Sequence, residues 1–235
     1  MVLPAKIFEI REKVDLGLIV SKLKHFREEE IYRTENGEAI TLTTEILDLE
    51  LGDDSISGVF SKDFIRQRFY KRELIEAPTT EESHFWIRQH SDRFFLIVSA
   101  PSVARGVKKL LTNFVANRLS RILFIIRQGI AEINIPHSTL QELHESNPMA
   151  TKLIWFDDVD IPGVEKLCLA GSDLVDTTLY QEYLNHGKIW YVVFEVQRRG
   201  MVVGITRNCV VTLFSKSSTE DFINFISEDL LALIE

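Results

Sequence analysis

The sequence predicts an α+β protein made of two sheet-plus-helix halves, each a curved antiparallel sheet with long amphipathic helices on one face. Three observations predict it. Short apolar runs bounded by turn residues recur through both halves of the chain, as strands do. Apolar residues at three- and four-residue spacing follow them near 103–122 and 222–233, as in helices that bury one face. An offset of 116 residues also superposes one strand–serine–helix junction on another.

Taken in order, Ala5 to Ile10 alternates and predicts a strand. Val14, Leu16, Leu18, Ile19, Leu23 and Phe26 predict a short helix that ends in the charged run Arg27–Glu30. Asn36-Gly37, between Ile31-Tyr32 and Ile40-Thr41-Leu42, is a hairpin signal, because both residues accept the positive φ of a type I′ turn. Leu47, Leu49 and Leu51 against Asp48 and Glu50 predict an amphipathic strand. Gly52-Asp53-Asp54 then turns the chain towards two more strands, Ile56–Phe60 and Phe64–Arg72. A polar loop at 78–82 precedes a tight hairpin, His84–Gln89 and Arg93–Ser99, joined near Ser91-Asp92. Ser102 is placed to N-cap a long helix. Its apolar face holds Val103, Val107, Leu110, Leu111, Phe114, Val115 and Ile122, and its polar face Arg105, Lys108, Lys109, Thr112 and Asn113.

Ile133–Ile135 reads as a brief strand, and Ser138 with Gln141 as the capping box of a helix to about Glu145. Asn147-Pro148 separates the halves, giving domains 1–147 and 148–235. In the second, strands at Leu153–Phe156 and Lys166–Leu169 flank an acidic turn, and Asp176 caps a short helix that stops at Asn185-His186-Gly187. Ile189–Gln197 and Met201–Phe214 predict long strands hinged at Arg198-Arg199-Gly200 and at Arg207-Asn208. Ser218 with Asp221 caps the last helix, whose buried stripe is Phe222, Ile223, Ile226, Leu230 and Leu233.

An apolar content of 45 % with 15 phenylalanines excludes global disorder. No apolar run approaches the roughly 18 residues of a membrane span, and no basic segment leads into an apolar one at the N-terminus. The expectation is a soluble cytoplasmic protein without a membrane contact. Cys168 and Cys209 lie in apolar segments without CxxC spacing, which predicts two buried reduced thiols. The net charge of −8 opposes indiscriminate nucleic-acid binding, but the charge is segregated. Residues 59–128 carry 13 basic and 6 acidic side chains, between flanks with 7 and 13 (residues 1–58) and 7 and 16 (residues 129–235).

The superposed junctions are Phe95-Leu96-Ile97-Val98-Ser99-Ala100-Pro101-Ser102 and Val211-Thr212-Leu213-Phe214-Ser215-Lys216-Ser217-Ser218, followed by Val107, Leu110 and Phe114 opposite Ile223, Ile226 and Leu230. This order of elements resembles the saddle repeats of the TATA-box-binding-protein family, over Phe85–Val115 and Met201–Leu231 only. It is a likeness of pattern, not of identities. The extra helices at 15–26 and 176–185 and the acidic second half depart from that family. The resemblance implies an open sheet face on nucleic acid, with Phe94 or Phe95 as wedges.

The segment Phe64–Arg72 carries the main candidate site. In a strand, Arg66, Arg68, Tyr70 and Arg72 share a face, where guanidiniums suit phosphates and the ring suits a base. Their alternative role is to pair with Asp48 and Glu50 on a neighbouring strand. Arg105, Lys108 and Lys109 are the candidate contact for an acidic protein partner. Asp157, Asp158 and Asp160 lack the ligand spacing of a calcium loop. Glu195 is the strand carboxylate of a nuclease-like alternative, but Gln197 stands where a lysine is wanted and no upstream carboxylate is evident. The six histidines show no ligand spacing, and GxSxG, P-loop and GxGxxG motifs are absent.

The function expected is therefore a non-enzymatic module that binds nucleic acid through its basic strand, with no cofactor or metal. The alternatives are a subunit that meets an acidic partner or a second copy of itself, and a small metal-dependent enzyme using Asp157, Asp160 and Glu195.

Overall fold

Backbone pairing between strands dominates the chain. A computed structural model describes residues 2–100, 112–125 and 128–234. Two compact units divide it, residues 8–131 and residues 1–7 with 132–235, so the division falls within the first strand, β1 (Leu3–Ile10).

In the unit of residues 8–131, Asp15 accepts from the Leu18 amide and starts helix α1 (Leu16–Leu23). The following strands are β2 (Arg27–Arg33), β3 (Ala39–Leu51), β4 (Ser55–Tyr70), β5 (Glu73–His90) and β6 (Arg93–Ser99), paired antiparallel in that order. Helix α2 (Thr112–Phe124) and the short β7 (Ile130–Glu132) complete this part of the chain. The charged run 27–30 is thus strand, not a helix end: it forms an exposed sheet edge, where like charges discourage pairing with another chain. The hairpin at Asn36-Gly37 is present, with a different turn. Only Gly37 has positive φ (85°), Thr34 N–H donates to the Glu38 carbonyl, and the Gly37 N–H donates to the Thr34 carbonyl. Asp48, at φ 48°, marks a bulge in β3, so Leu47 faces Val59 and Leu51 faces Ile56, on opposite sides of the sheet.

One face of this sheet is closed by the two helices. Phe8, Ile10, Ile46, Ile56, Phe60, Phe85, Ile87, Leu96 and Val98 pack with Ile19 and Leu23 of α1 and Val115, Leu119 and Leu123 of α2. Gly58 sits under the Phe85 ring, where a Cβ would come within 2.8 Å of a ring carbon.

In the other unit the helices are α3 (His137–Glu145), α4 (Thr178–His186) and α5 (Thr219–Phe225), and the strands β8 (Thr151–Asp157), β9 (Leu167–Ala170), β10 (Lys188–Val196), β11 (Met201–Thr206) and β12 (Val210–Leu213). The sheet order is β1-β12-β11-β10-β8-β9, with Leu3–Lys6 as the β1 contribution. Ser218 and Asp221 form the expected capping box of α5. The cap of α4 is Thr177, one residue after Asp176, and α3 has no side-chain cap. His144 is buried: its Nδ1 lies 2.9 Å from the Thr151 hydroxyl, and its ring meets the Tyr180 ring edge-on at 4.9 Å. Burial holds this imidazole below the ordinary histidine pKa. Of the two free cysteines, Cys209 is buried as expected, whereas Cys168 is exposed on β9.

The expected fold class, two sheet-plus-helix halves with long amphipathic helices on one face, is overturned. The structure is mostly antiparallel sheet, 46 % strand against 26 % helix, and the helices are short. Among the described residues no α-helix exceeds the 13 residues of α2. Of the stripe expected on the last helix, Phe222, Ile223, Ile226 and Leu230 are buried and Leu233 is exposed, although α5 passes into a π-turn at Ile226–Leu230 and a 3₁₀ turn at Leu231–Leu233. Strand takes the loop expected at 78–82: β4 and β5 run through it and through the unassigned residues 61–63 and 73–77, and form one long hairpin. No helix among the described residues is long and apolar enough to cross a membrane.

Candidate nucleic-acid interface

β4 and β5 stay in register from Ser55↔Arg88 to Tyr70↔Glu73, but their neighbours do not follow them out. Pairing of β3 with β4 ends at Thr44↔Lys62, and pairing of β5 with β6 begins at Phe85↔Val98. From Asp63↔Thr80 outward the two strands form an arm, roughly 25 Å long at about 3.3 Å per residue. Pro78 is tolerated in the arm because, among the described residues, β5 pairs there with β4 alone.

The arm is fastened along its inner half. Asp63 accepts from the Thr80 hydroxyl (2.7 Å) and the Thr43 amide (2.8 Å). Glu76 accepts from the Tyr32 hydroxyl (2.8 Å) and the Glu35 amide (3.2 Å), which ties the β2–β3 hairpin to the arm. The hydrogen bond from Tyr32 holds the Glu76 carboxyl below its usual pKa, and the same bond pushes the phenol up. Beyond Gln67 and Glu76 every residue from Arg68 to Leu74 is exposed.

At the apex Lys71 (φ 48°) and Arg72 (φ 71°) are the two central residues of a two-residue loop, the dihedral pattern of a type I′ turn. Glycine and asparagine normally occupy such positions, and each side chain there costs about 1 kcal/mol. The loop therefore holds two long cations in a backbone that disfavours them. Lys71 Nζ lies 5.3 Å from the Tyr70 ring centroid.

The residues expected to share one basic face are distributed differently. Arg66, Arg68 and Tyr70 do lie on one face of β4, opposite Ala77, Ile75 and Glu73. Arg72 lies in the turn. The Arg66 guanidinium pairs with Glu81, whose side chain is 2 % exposed, so its partner is neither Asp48 nor Glu50. Arg68, Lys71 and Arg72 form no ion pair among the described residues. The other face of the arm carries Phe69 opposite Leu74, 80 % and 49 % exposed. Of the phenylalanines expected as wedges, Phe95 is buried and Phe94 partly buried. Phe69 is exposed instead, because among the described residues no other strand flanks the arm there. Arg105, Lys108 and Lys109 lie outside the described residues.

The carboxylates of the metal alternative do not assemble. Asp157 pairs with Arg207 (2.8 Å), Asp160 with His186 (2.8 Å) and Glu195 with Lys152 (3.1 Å). Lys152, on β8, supplies the lysine beside Glu195 that the local sequence lacks. Among the described residues no three His, Cys, Asp or Glu side chains are placed to hold a metal ion.

Compared with known proteins, the chain matches no family model, and no curated protein matches it.

Proposed function

We propose that this chain is a non-enzymatic binding module that docks on nucleic acid through the β4–β5 arm. The observation that supports this reading is the set of three cations, Arg68, Lys71 and Arg72, exposed at the arm's end without ion-pair partners among the described residues. Unneutralised guanidinium and ammonium groups displace counterions from phosphates, and a two-stranded ribbon fits a nucleic-acid groove. Residues 8–131 carry 19 basic and 19 acidic side chains, so the unit as a whole does not attract phosphate and the attraction rests on the unpaired cations of the arm.

The test is titration of labelled DNA and RNA at several salt concentrations. Reversing Arg68, Lys71 and Arg72 to glutamate abolishes binding without unfolding the domain. Neutralising them one at a time lowers the salt slope by roughly 0.9 for each phosphate of duplex DNA that the protein ceases to neutralise. Absence of binding in low salt, or binding indifferent to salt, refutes the reading.

A protein partner is the second reading, favoured by the exposed Phe69–Leu74 pair. It predicts dimerisation, or association with an acidic partner, that disappears with Phe69→Ala and Leu74→Ala.

A further inference from the structure

We propose that a cleft beside the π-turn of the last helix binds a medium-chain aliphatic carboxylate, its chain on Phe194, Phe225 and Leu230 and its carboxylate on Arg198. The cleft encloses about 480 Å³, within the roughly 300–1,000 Å³ that small-molecule sites occupy. All of its lining belongs to the unit of residues 1–7 and 132–235. Ala150, Phe225 and Leu230 are buried, Phe194 and Val196 contribute from β10, and Leu233 is the exposed apolar member. The π-turn Ile226–Leu230 supplies two consecutive lining residues, Asp229 and Leu230, and such turns recur at functional sites. A hydrocarbon chain suits this lining, because each methylene it takes out of water adds to the binding.

The polar groups select an anion. Asp229, whose side chain is 12 % exposed, accepts from Arg199 Nε at 2.6 Å and also pairs with Arg198. Arg199 therefore holds Asp229 by itself. Arg198, with its side chain 71 % exposed, keeps the remaining donors of its planar fork for a ligand. Glu195, the other carboxylate of the lining, is paired with Lys152 at 3.1 Å and does not oppose an anion there. The side-chain amides of Asn147 and Gln197 also belong to the lining and have no hydrogen-bond partner among the described residues, so their N–H groups are open to carboxylate oxygens. A cationic amphiphile would have to displace two arginines from Asp229.

The experiment is calorimetry on the full chain with hexanoate, octanoate and decanoate, below the concentrations at which they form micelles. Octanol and octylammonium serve as the neutral and cationic counterparts. Affinity rises roughly fourfold for each added methylene, and octanoate binds roughly tenfold more tightly than octanol. Arg198→Gln erases that tenfold preference and leaves octanol binding unchanged, whereas Arg198→Lys, which keeps the charge, retains part of it. Both variants keep the Arg199–Asp229 pair, so Tm stays at the wild-type value. Leu233→Ala weakens octanoate and octanol equally. Failure of all three carboxylates to bind overturns the site, and affinity indifferent to chain length overturns the apolar contact. Octanol or octylammonium binding as tightly as octanoate overturns the choice of an anion. An Arg198→Gln protein that keeps its preference for octanoate overturns the role of Arg198.

Discussion

The Tyr32 hydroxyl donates to Glu76 at 2.8 Å, and this bond fastens one hairpin of the sheet to the side of another. It lies well beyond Thr44↔Lys62, the last pair of β3 with β4, and marks the outer end of the arm's fastened half.

Tyr32→Phe and Glu76→Gln should therefore raise amide exchange in residues 64–79 and leave the core around Phe60 and Phe85 protected. The pH dependence has a definite sign. Glu76 is held below its ordinary pKa, so its contribution is complete above the unfolded carboxylate value and is lost as pH falls through the depressed one. Exchange measured as a function of pH should show the arm's protection surviving at about pH 5 and failing only in stronger acid.

Arg66 and Arg68 look equivalent in sequence and should behave oppositely. Arg66→Ala strips the guanidinium from a carboxylate that is 2 % exposed, which should cost about 2–3 kcal/mol and lower Tm by several degrees. Arg68→Ala should stay within about 0.5 kcal/mol of wild type in stability. Thermal denaturation of the two variants side by side decides it, and equal losses would refute the distinction.

That distinction shows what the sequence carried and what it withheld. Alternation and turn residues were enough to locate the hairpins at Gly37 and at Ser91-Asp92, the capping box at Ser218, and the breaks at Gly200 and Asn208. The apex at Lys71-Arg72 was hidden, because neither residue is a turn former and both adopt positive φ only under the constraint of the paired strands. Pro78 and the acidic pair after it read as a loop, since local composition does not reveal that β5 pairs there with β4 alone among the described residues. Glu81 was hidden for the same reason. The basic segment itself was legible, but which of its cations remain unpaired depends on a register that no local pattern encodes.

His144 should make the protein acid-sensitive in a narrow range. Burial lowers its pKa, so the unfolded chain takes up a proton first, and stability present above about pH 6.5 declines as pH falls from there. His144→Gln, which keeps a polar group near Thr151, should be less stable at about pH 7 and show a flatter Tm between about pH 7 and pH 5.

The two thiols should react at very different rates. Burial pushes the Cys209 thiol up to about 12; desolvation raises the Cys168 thiol as well, but that residue is exposed on β9 and open to reagent. A thiol-reactive chromophore should titrate one cysteine in the native protein and two after denaturation. Cys168→Ser should abolish the native reaction.

The exposed stretch from Arg68 to Leu74 lies outside the core that Phe60 and Phe85 help to close, so it is nearly free of folding constraints. Evolution can rewrite those seven positions without re-solving the packing problem beneath them. The same freedom makes the hairpin a natural graft point: exchanging its tip should retarget the domain while the scaffold beneath it stays as it is.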